Sequence, residues 1–435
     1  MLDHTHDSAA TSWLASANRH PDFPIQNLPL ARFTAAALSG ERIGTAIGDQ
    51  VLDLTGLAAR TDLPGDCALA LAPLAGGSLA PLMAEGPAAS RRLRHALFKL
   101  LESAQGERLK AKVTPHLLPA AQAQLLLPIR PPTFSDYYCS IYHARNVGSL
   151  VRPDNPITPN FHYMPLSYHG RSTSVLPSGQ NFHRPRGQGV AADKSIRMGP
   201  AMRLDYEAEL GFLAGLPSPV GATVTIENAV DHLFGVALLN DWSARDIQFW
   251  EYVPLGPFLG KSFATTLGGW VVTREALEPF WCAPPWDGER SLLPHLDSPR
   301  ERESGALDIY VETFISTERM RAQGLPRHRL ALSNAKTSYW TPAQMIAHQT
   351  SNGAPLDSGD LMGSGTLSGP EPSSYGCLLE ITRGGQNALT LPSGETRTYL
   401  EDGDEITLAG YCEVSGRARI GLGEASARVL PSRAG

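Results

Sequence analysis

Cysteine is scarce in this chain of 435 residues, and its spacing points to no framework. The five cysteines, Cys67, Cys139, Cys282, Cys377 and Cys412, are odd in number and scattered, and none forms a CxxC. That excludes a disulfide scaffold or a zinc knuckle, and predicts reduced thiols in a cytoplasmic protein. Long hydrophobic runs are missing too. No stretch approaches the roughly 18 apolar residues a membrane-spanning helix needs. The opening MLDHTHDSAATSWLASANRH has no apolar h-region, so no signal peptide is expected. Positive charge is not in excess: the formal net charge is −6. Nothing electrostatic therefore favours nucleic acid or an anionic membrane, and a divalent cation is tolerated. GxSxG, HExxH and zinc-finger spacings are absent. Gly260-Lys261-Ser262 resembles the end of a phosphate-binding loop, but Leu255 stands where its first glycine belongs and Pro257 removes an amide. Nucleotide binding is excluded there, and Lys261 remains a candidate electrophile.

What is present is ordinary globular material, 42% hydrophobic and 18% charged, long enough for two or three domains. The 41 glycines and 35 prolines predict many turns and short strands. Residues 1–20 read as a flexible start. ERIGTAIGDQVLDL alternates like a hairpin, with Ile43, Ala46 and Ile47 flanking the turn. Leu93, Leu97, Leu100 and Leu101 form an apolar stripe that predicts a helix over Ala88–Gln105, with Arg91, Arg92 and Arg94 toward one side. A second helical piece is expected near Pro119–Leu126. Pro128, Pro131 and Pro132 mark a linker. Beyond it the chain is rich in strands and turns, with one helix over Pro342–Gln349 capped by Thr341. The expected division is a tail over 1–20, a small β-rich domain with a helical connector over 21–127, and a large mainly β domain over 128–435.

Candidate chemistry gathers in the large part. Leu233–Leu239 reads as a buried strand. A short helix-like segment follows, ended by Pro254. On an ideal helix Asp241, Arg245, Gln248 and Tyr252 fall within a sector about 60° wide. MRLDYEAELG alternates, which puts Arg203, Asp205, Glu207 and Glu209 on one strand face. Such a row is either a solvated edge or a seat for a hard cation, because carboxylate oxygens suit Ca²⁺ or Mg²⁺. SDYYCSIYHARNVG supplies Asp136, Tyr138 and His143. Glu380 interrupts the apolar run GCLLEI, read as a strand, and a buried carboxylate needs a partner. A histidine is a natural one, giving a dyad that activates water. The residues alone do not pair Glu380 with His143.

Several stretches together resemble the fumarylacetoacetase (fumarylacetoacetate hydrolase) family: DFPIQNLP from Asp22, HARNVG from His143, YHGR from Tyr168, LNDWSARD from Leu239, WEYVPLGPFLGKSF from Trp250, SGTLSG from Ser364 and DGDEI from Asp402. The resemblance runs from about Asp22 to Pro431. It implies a mainly β, α+β architecture: a small SH3-like β-barrel domain, then a large catalytic domain of the fumarylacetoacetase fold, in a cytoplasmic homodimer. It implies a divalent cation, Ca²⁺ or Mg²⁺, bound by Asp136, Glu207, Glu209 and Asp241, and a second, Mg²⁺-type site using Asp241, Lys261 and Thr265. His143 would be the water-activating base with Glu380 as its orienter. Arg245, Gln248 and Lys261 would stabilise the developing anion. Tyr138, Arg152, Tyr168, Gln248, Tyr252 and Thr366 would contact substrate. The implied reaction is hydrolysis of a C–C bond in a β-diketone acid, fumarylacetoacetate, to fumarate and acetoacetate, the last step of tyrosine and phenylalanine breakdown. The neighbouring possibilities are an acylpyruvate hydrolase or an oxo-acid decarboxylase of the same superfamily, and a non-catalytic scaffold that kept the fold. Three residues depart from the family pattern: Tyr142, Arg145 and Ala264. Tyr142 and Ala264 are expected to bear on substrate preference.

Overall fold

The run Leu233–Leu239 does form a buried strand, and the larger part of the chain is assembled around it. The strand spans Leu233–Asp241, and all nine of its residues are buried. The computed structural model describes residues 2–285 and 292–433, and its architecture is mixed α+β and rich in sheet. The strand lies inside an eight-stranded mixed sheet. Ala208–Ala214 pairs with it antiparallel on one side, with Glu209 opposite Leu239. Thr265–Leu267 pairs on the other, with Thr265 opposite Asp241. Leu361–Gly363 lies beyond Ala208–Ala214, and Phe134–Tyr137 runs parallel to it with Asp136 opposite Gly363. The register therefore brings the ends of several strands, and their acidic residues, to one place.

A second sheet has five strands in the order His328–Asn334, Tyr310–Ser316, Glu405–Cys412, Ile420–Leu430 and Phe182–His183. It packs on the first sheet through a shared core that includes Leu238, Leu408 and Leu422. Each fully buried leucine contributes about 1.5–3 kcal/mol by leaving water. Gly410 permits the close approach, because a Cβ there would lie 2.8 Å from Leu238 Cδ2.

The N-terminal part carries a five-stranded antiparallel sheet in the order Leu117–Pro119, Gln50–Asp53, Arg42–Ile47, Leu30–Thr34 and Gln124–Leu125. Its hairpin turns at Gly48, whose φ of 58° suits glycine. The helix predicted from the leucine stripe spans Pro87–Leu101 and buries Leu93, Leu97, Leu100 and Leu101. These leucines share a core with Phe134, Leu213, Phe234 and Leu239 of the large part, so the two halves meet through apolar packing.

Four expectations need correction. Residues 2–20 are packed rather than flexible: His4–His6 forms a capped 3-10 turn, and Thr5 and His6 are buried. Arg94 does not share the surroundings of Arg91 and Arg92, which are half-buried and exposed. It is buried and donates to the Thr5 side chain and to the Thr5, Gln26 and Asn27 carbonyls. The stretch Pro119–Leu126 is two short strands around one 3-10 turn, because its residues edge the N-terminal sheet on both sides. Glu380 sits in a short helix, Leu378–Ile381, not in a strand. Among the described residues no helix is long and apolar enough to cross a membrane.

Candidate active site

Asp241 is the last residue of the central strand, not the first of a helix. The helix spans Arg245–Glu251 and presents Arg245 and Gln248, and Tyr252 is its C-cap. The chain turns through a two-residue strand, Ser243–Ala244, held against Leu204–Asp205, which aims the helix back at the strand ends. Three carboxylates join Asp241 there. Asp136 comes from Phe134–Tyr137, Glu209 from Ala208–Ala214, and Glu207 from the break between Leu204–Asp205 and Ala208–Ala214. All four are buried, so the solvated-edge reading of the acidic row fails. Each offers an oxygen within 4.8 Å of the others. Gly363 leaves room for them: a Cβ there would collide with Asp136 Oδ1 and come within 2.9 Å of Glu209 Oε2.

The charges in this cluster are unevenly matched. Lys261 Nζ donates to Glu207 Oε2 at 2.5 Å and to Asp241 Oδ2 at 2.8 Å. Arg245 reaches Glu207 Oε1 at 2.6 Å and Gln248 Oε1 at 3.2 Å. Burial works against the charge on Glu207, but Lys261 and Arg245 outweigh it and hold its carboxyl below the usual range. Asp136 and Glu209 are pushed well above that range, by burial first and then by the neighbouring carboxylates. Asp136 Oδ1 and Glu209 Oε1 have no hydrogen-bond partner among the described residues. Two orphaned acceptors in a buried all-oxygen set of four fit a hard divalent cation. The side chain of Lys261 does not fit the part of a metal ligand. Burial opposes its charge, yet Asp241 and Glu207 raise its pKa, so it stays an ammonium with no lone pair to offer. Beside a second cation the ammonium would repel it, so only the backbone carbonyl of Lys261 could be a ligand there. Thr265 Oγ1 and Tyr168 Oη both donate to Asp241, at 3.1 and 2.7 Å.

His143 lies in the helix Ile141–Val151, capped by Ser140. Its Nδ1 is 2.7 Å from Glu380 Oε2, and both side chains are buried. Asn146, one turn along the same helix, donates to Glu380 Oε1 at 2.8 Å. Ser368 donates to Oε2 at 2.8 Å, and the Cys377 thiol approaches Oε2 at 3.2 Å. Burial would raise the Glu380 pKa, but His143 and these hydrogen bonds lower it. Surrounded by donors, Glu380 stays a carboxylate. The Nδ1 of His143 therefore carries the proton, and Nε2 is left as the basic atom. Tyr138 packs edge-on against the imidazole at a centroid distance of 5.3 Å.

One cleft of about 1080 Å³ serves all of this. The expected substrate contacts Tyr138, Arg152, Tyr168, Gln248, Tyr252 and Thr366 line it, together with His143, Arg245, Lys261, Asp136 and Glu207. Glu209, Asp241 and Glu380 stand behind that lining beside its residues, and Thr265 lies behind Asp241. Arg152 Nε and Thr366 Oγ1 have no hydrogen-bond partner among the described residues, which leaves both for a polar ligand. Neither Tyr142 nor Ala264 lines the cleft, so their departure from the family pattern does not reshape it directly. Sequence reasoning missed Asn146, Ser368, Gly363 and Glu251. Asn146 had a signal, its i+3 spacing from His143. Glu251 had none: its carboxylate accepts from the Phe258 and Gly260 amides and ties down the loop that delivers Lys261.

With this geometry in place, comparison assigns the class. The profile described as Fumarylacetoacetate (FAA) hydrolase C-terminal matches residues 133–430, and that described as Fumarylacetoacetase N-terminal matches residues 26–128. The chain belongs to the fumarylacetoacetase family. It is 40% identical to the fumarylacetoacetase of Arabidopsis thaliana over 421 residues, covering 94% of this chain and 96% of that one. It is 42% identical to that of Caenorhabditis elegans, covering 96% and 98%. It is 40% identical to that of Homo sapiens, covering 94% and 97%.

Proposed function

We propose that this chain hydrolyses the C–C bond of 4-fumarylacetoacetate, giving fumarate and acetoacetate, the last step of tyrosine and phenylalanine breakdown. The observation that carries this reading is the buried His143–Glu380 pair, which opens on the same cleft as the carboxylate cluster. Asp136, Glu207, Glu209 and Asp241 would hold Ca²⁺ or Mg²⁺, which when bound polarises a diketone as a Lewis acid. Arg152 and Thr366, with Tyr138, Tyr168 and Tyr252, bind and orient the diketo acid. His143 Nε2 takes a proton from water, whose oxygen attacks the fumaryl carbonyl carbon. The bond from that carbon to the neighbouring methylene breaks, and its electron pair stays on the acetoacetate fragment as an enolate. Arg245, Lys261 and the Gln248 amide present fixed donors to that charge. The imidazolium then returns its proton to carbon.

The same reading makes the N-terminal five-stranded sheet the SH3-like element and places the division between domains near residue 128. It makes the protein cytoplasmic, in keeping with five cysteines that are all thiols. It also makes it a homodimer. Val253, Leu255, Phe258 and Leu259 expose an apolar surface at the rim of the cleft that a second copy would cover. Sedimentation velocity should then give twice the chain mass of 46.8 kDa. The functional reading is tested by comparing substrates with cation present. Fumarylacetoacetate should lose its near-ultraviolet diketone absorbance and release fumarate. Faster turnover of an acylpyruvate or an oxo acid would move the chain to that neighbouring chemistry instead.

A further inference from the structure

Asp205 is fully buried, and the reaction as drawn does not use it. Its two oxygens hold two separate parts of the site. Oδ2 accepts from Arg245 Nε at 2.9 Å, and Arg245 Nη2 stands at the same distance from it. Oδ1 accepts from the Leu378 amide at 2.8 Å, and Oδ2 also accepts from the Leu379 amide at 3.0 Å. Those amides open the short helix Leu378–Ile381 that carries Glu380. The first amides of any helix lack partners within it and need a cap. Cys377 stands at the N-cap, and its side chain makes no capping bond among the described residues. Cysteine is a poor cap, whereas aspartate is among the best. Asp205 does the capping from a distant strand.

We infer that Asp205 is a positioning residue that locks the Arg245 guanidinium to the Glu380 helix, so that the anion-stabilising donors and the His143–Glu380 pair keep one fixed spacing. This rests on the roles given to Arg245 and Glu380 under the proposed hydrolysis. Arg245 is held on one side by Asp205 and on the other by Glu207 and Gln248. Without Asp205 it would keep only the second set, and the helix amides would lose their acceptor. A displacement of about 1 Å at a reacting group can cost on the order of a hundredfold in rate.

The test is Asp205→Asn beside Asp404→Asn, which weakens a buried arginine pair, Arg397–Asp404, remote from the cleft. D205N should lower kcat for fumarylacetoacetate about 10- to 100-fold with KM within about threefold, while D404N loses thermal stability and keeps kcat. In proton NMR of the full chain, the downfield Nδ1 proton of His143 should shift in D205N and not in D404N. That readout needs no substrate, so it still tests the inference should wild-type protein fail to turn over fumarylacetoacetate, a failure that would overturn only the reaction. Unchanged kcat together with an unshifted His143 proton in folded D205N would overturn the inference. Should D205N not fold, Asp205→Glu carries the same test, because it keeps the charge and displaces it by one methylene.

Discussion

Glu380 accepts hydrogen bonds from Asn146, Ser368 and Cys377 and faces His143, so in the proposed reaction it is an orienter rather than an acid. Glu380→Gln keeps the volume but turns an NH₂ toward donors. It should lower kcat by about 10²–10⁴ with KM nearly unchanged in steady-state kinetics, the span expected of a lost general base. Equal kcat would remove the dyad from the reaction. Lys261 is the counterpart among cations. Lys261→Met leaves Glu207 and Asp241 facing each other without their ammonium, and breaking a buried pair in this way costs about 3–5 kcal/mol. Denaturant unfolding of cation-free protein should show that loss. At this scale the sequence was half legible. A carboxylate inside an apolar run announced that Glu380 needs a partner. The partner lies 237 residues away, and no local pattern spans that distance. Arg94 misled for the same reason: its acceptors belong to residues 5, 26 and 27.

Glycines set the close approaches between elements. Gly148 sits inside the helix Ile141–Val151, where glycine weakens a helix by about 1 kcal/mol relative to alanine. Alanine should nevertheless be worse, because its Cβ would collide with the Pro156 carbonyl of the segment that folds back on the helix. That segment also holds Arg152, which donates to the Pro156 carbonyl at 3.3 Å. Gly148→Ala should therefore raise KM more than it lowers kcat. Gly363→Ala should instead weaken Ca²⁺ binding in a calorimetric titration by tenfold or more, about 1.4 kcal/mol, since its methyl would collide with a carboxylate of the cluster. Apolar patterning revealed Leu233–Asp241 and Pro87–Leu101, because burial on one or both faces imposes a period. It failed at Gly376–Ile381, where a short apolar run suits either state and the Asp205 cap decides for helix. The polar spacing carried Asp241 onto a helix as well. The ideal helical sector did hold Arg245 and Gln248, but Asp241 reaches the site from the strand end, through pairing with Thr265 that only the sheet supplies.

Across the whole molecule the N-terminal residues act as a clasp. His6 Nε2 lies 2.8 Å from the Glu275 carbonyl, and Thr5 meets the buried Arg94 guanidinium, so residues 2–20 bind the helix Pro87–Leu101 to the catalytic part. Deleting them should lower stability by at least about 3 kcal/mol, since two hydrogen bonds to a buried cation are lost. A polar, histidine-bearing start carries no apolar period, which is why its packing could not be read in advance. On the proposed reading a bound cation would quiet the carboxylates that Lys261 and Arg245 leave unpaired, Asp136 and Glu209. The most direct measurement is fumarate release from fumarylacetoacetate by chain stripped with EDTA and then titrated with Ca²⁺ or Mg²⁺, with His143→Ala alongside. Release should be negligible when stripped and recover fully as cation is added, with at least a hundredfold deficit in H143A at saturating cation. Full activity in the stripped protein, or an H143A variant as fast as wild type, would contradict the proposed reading.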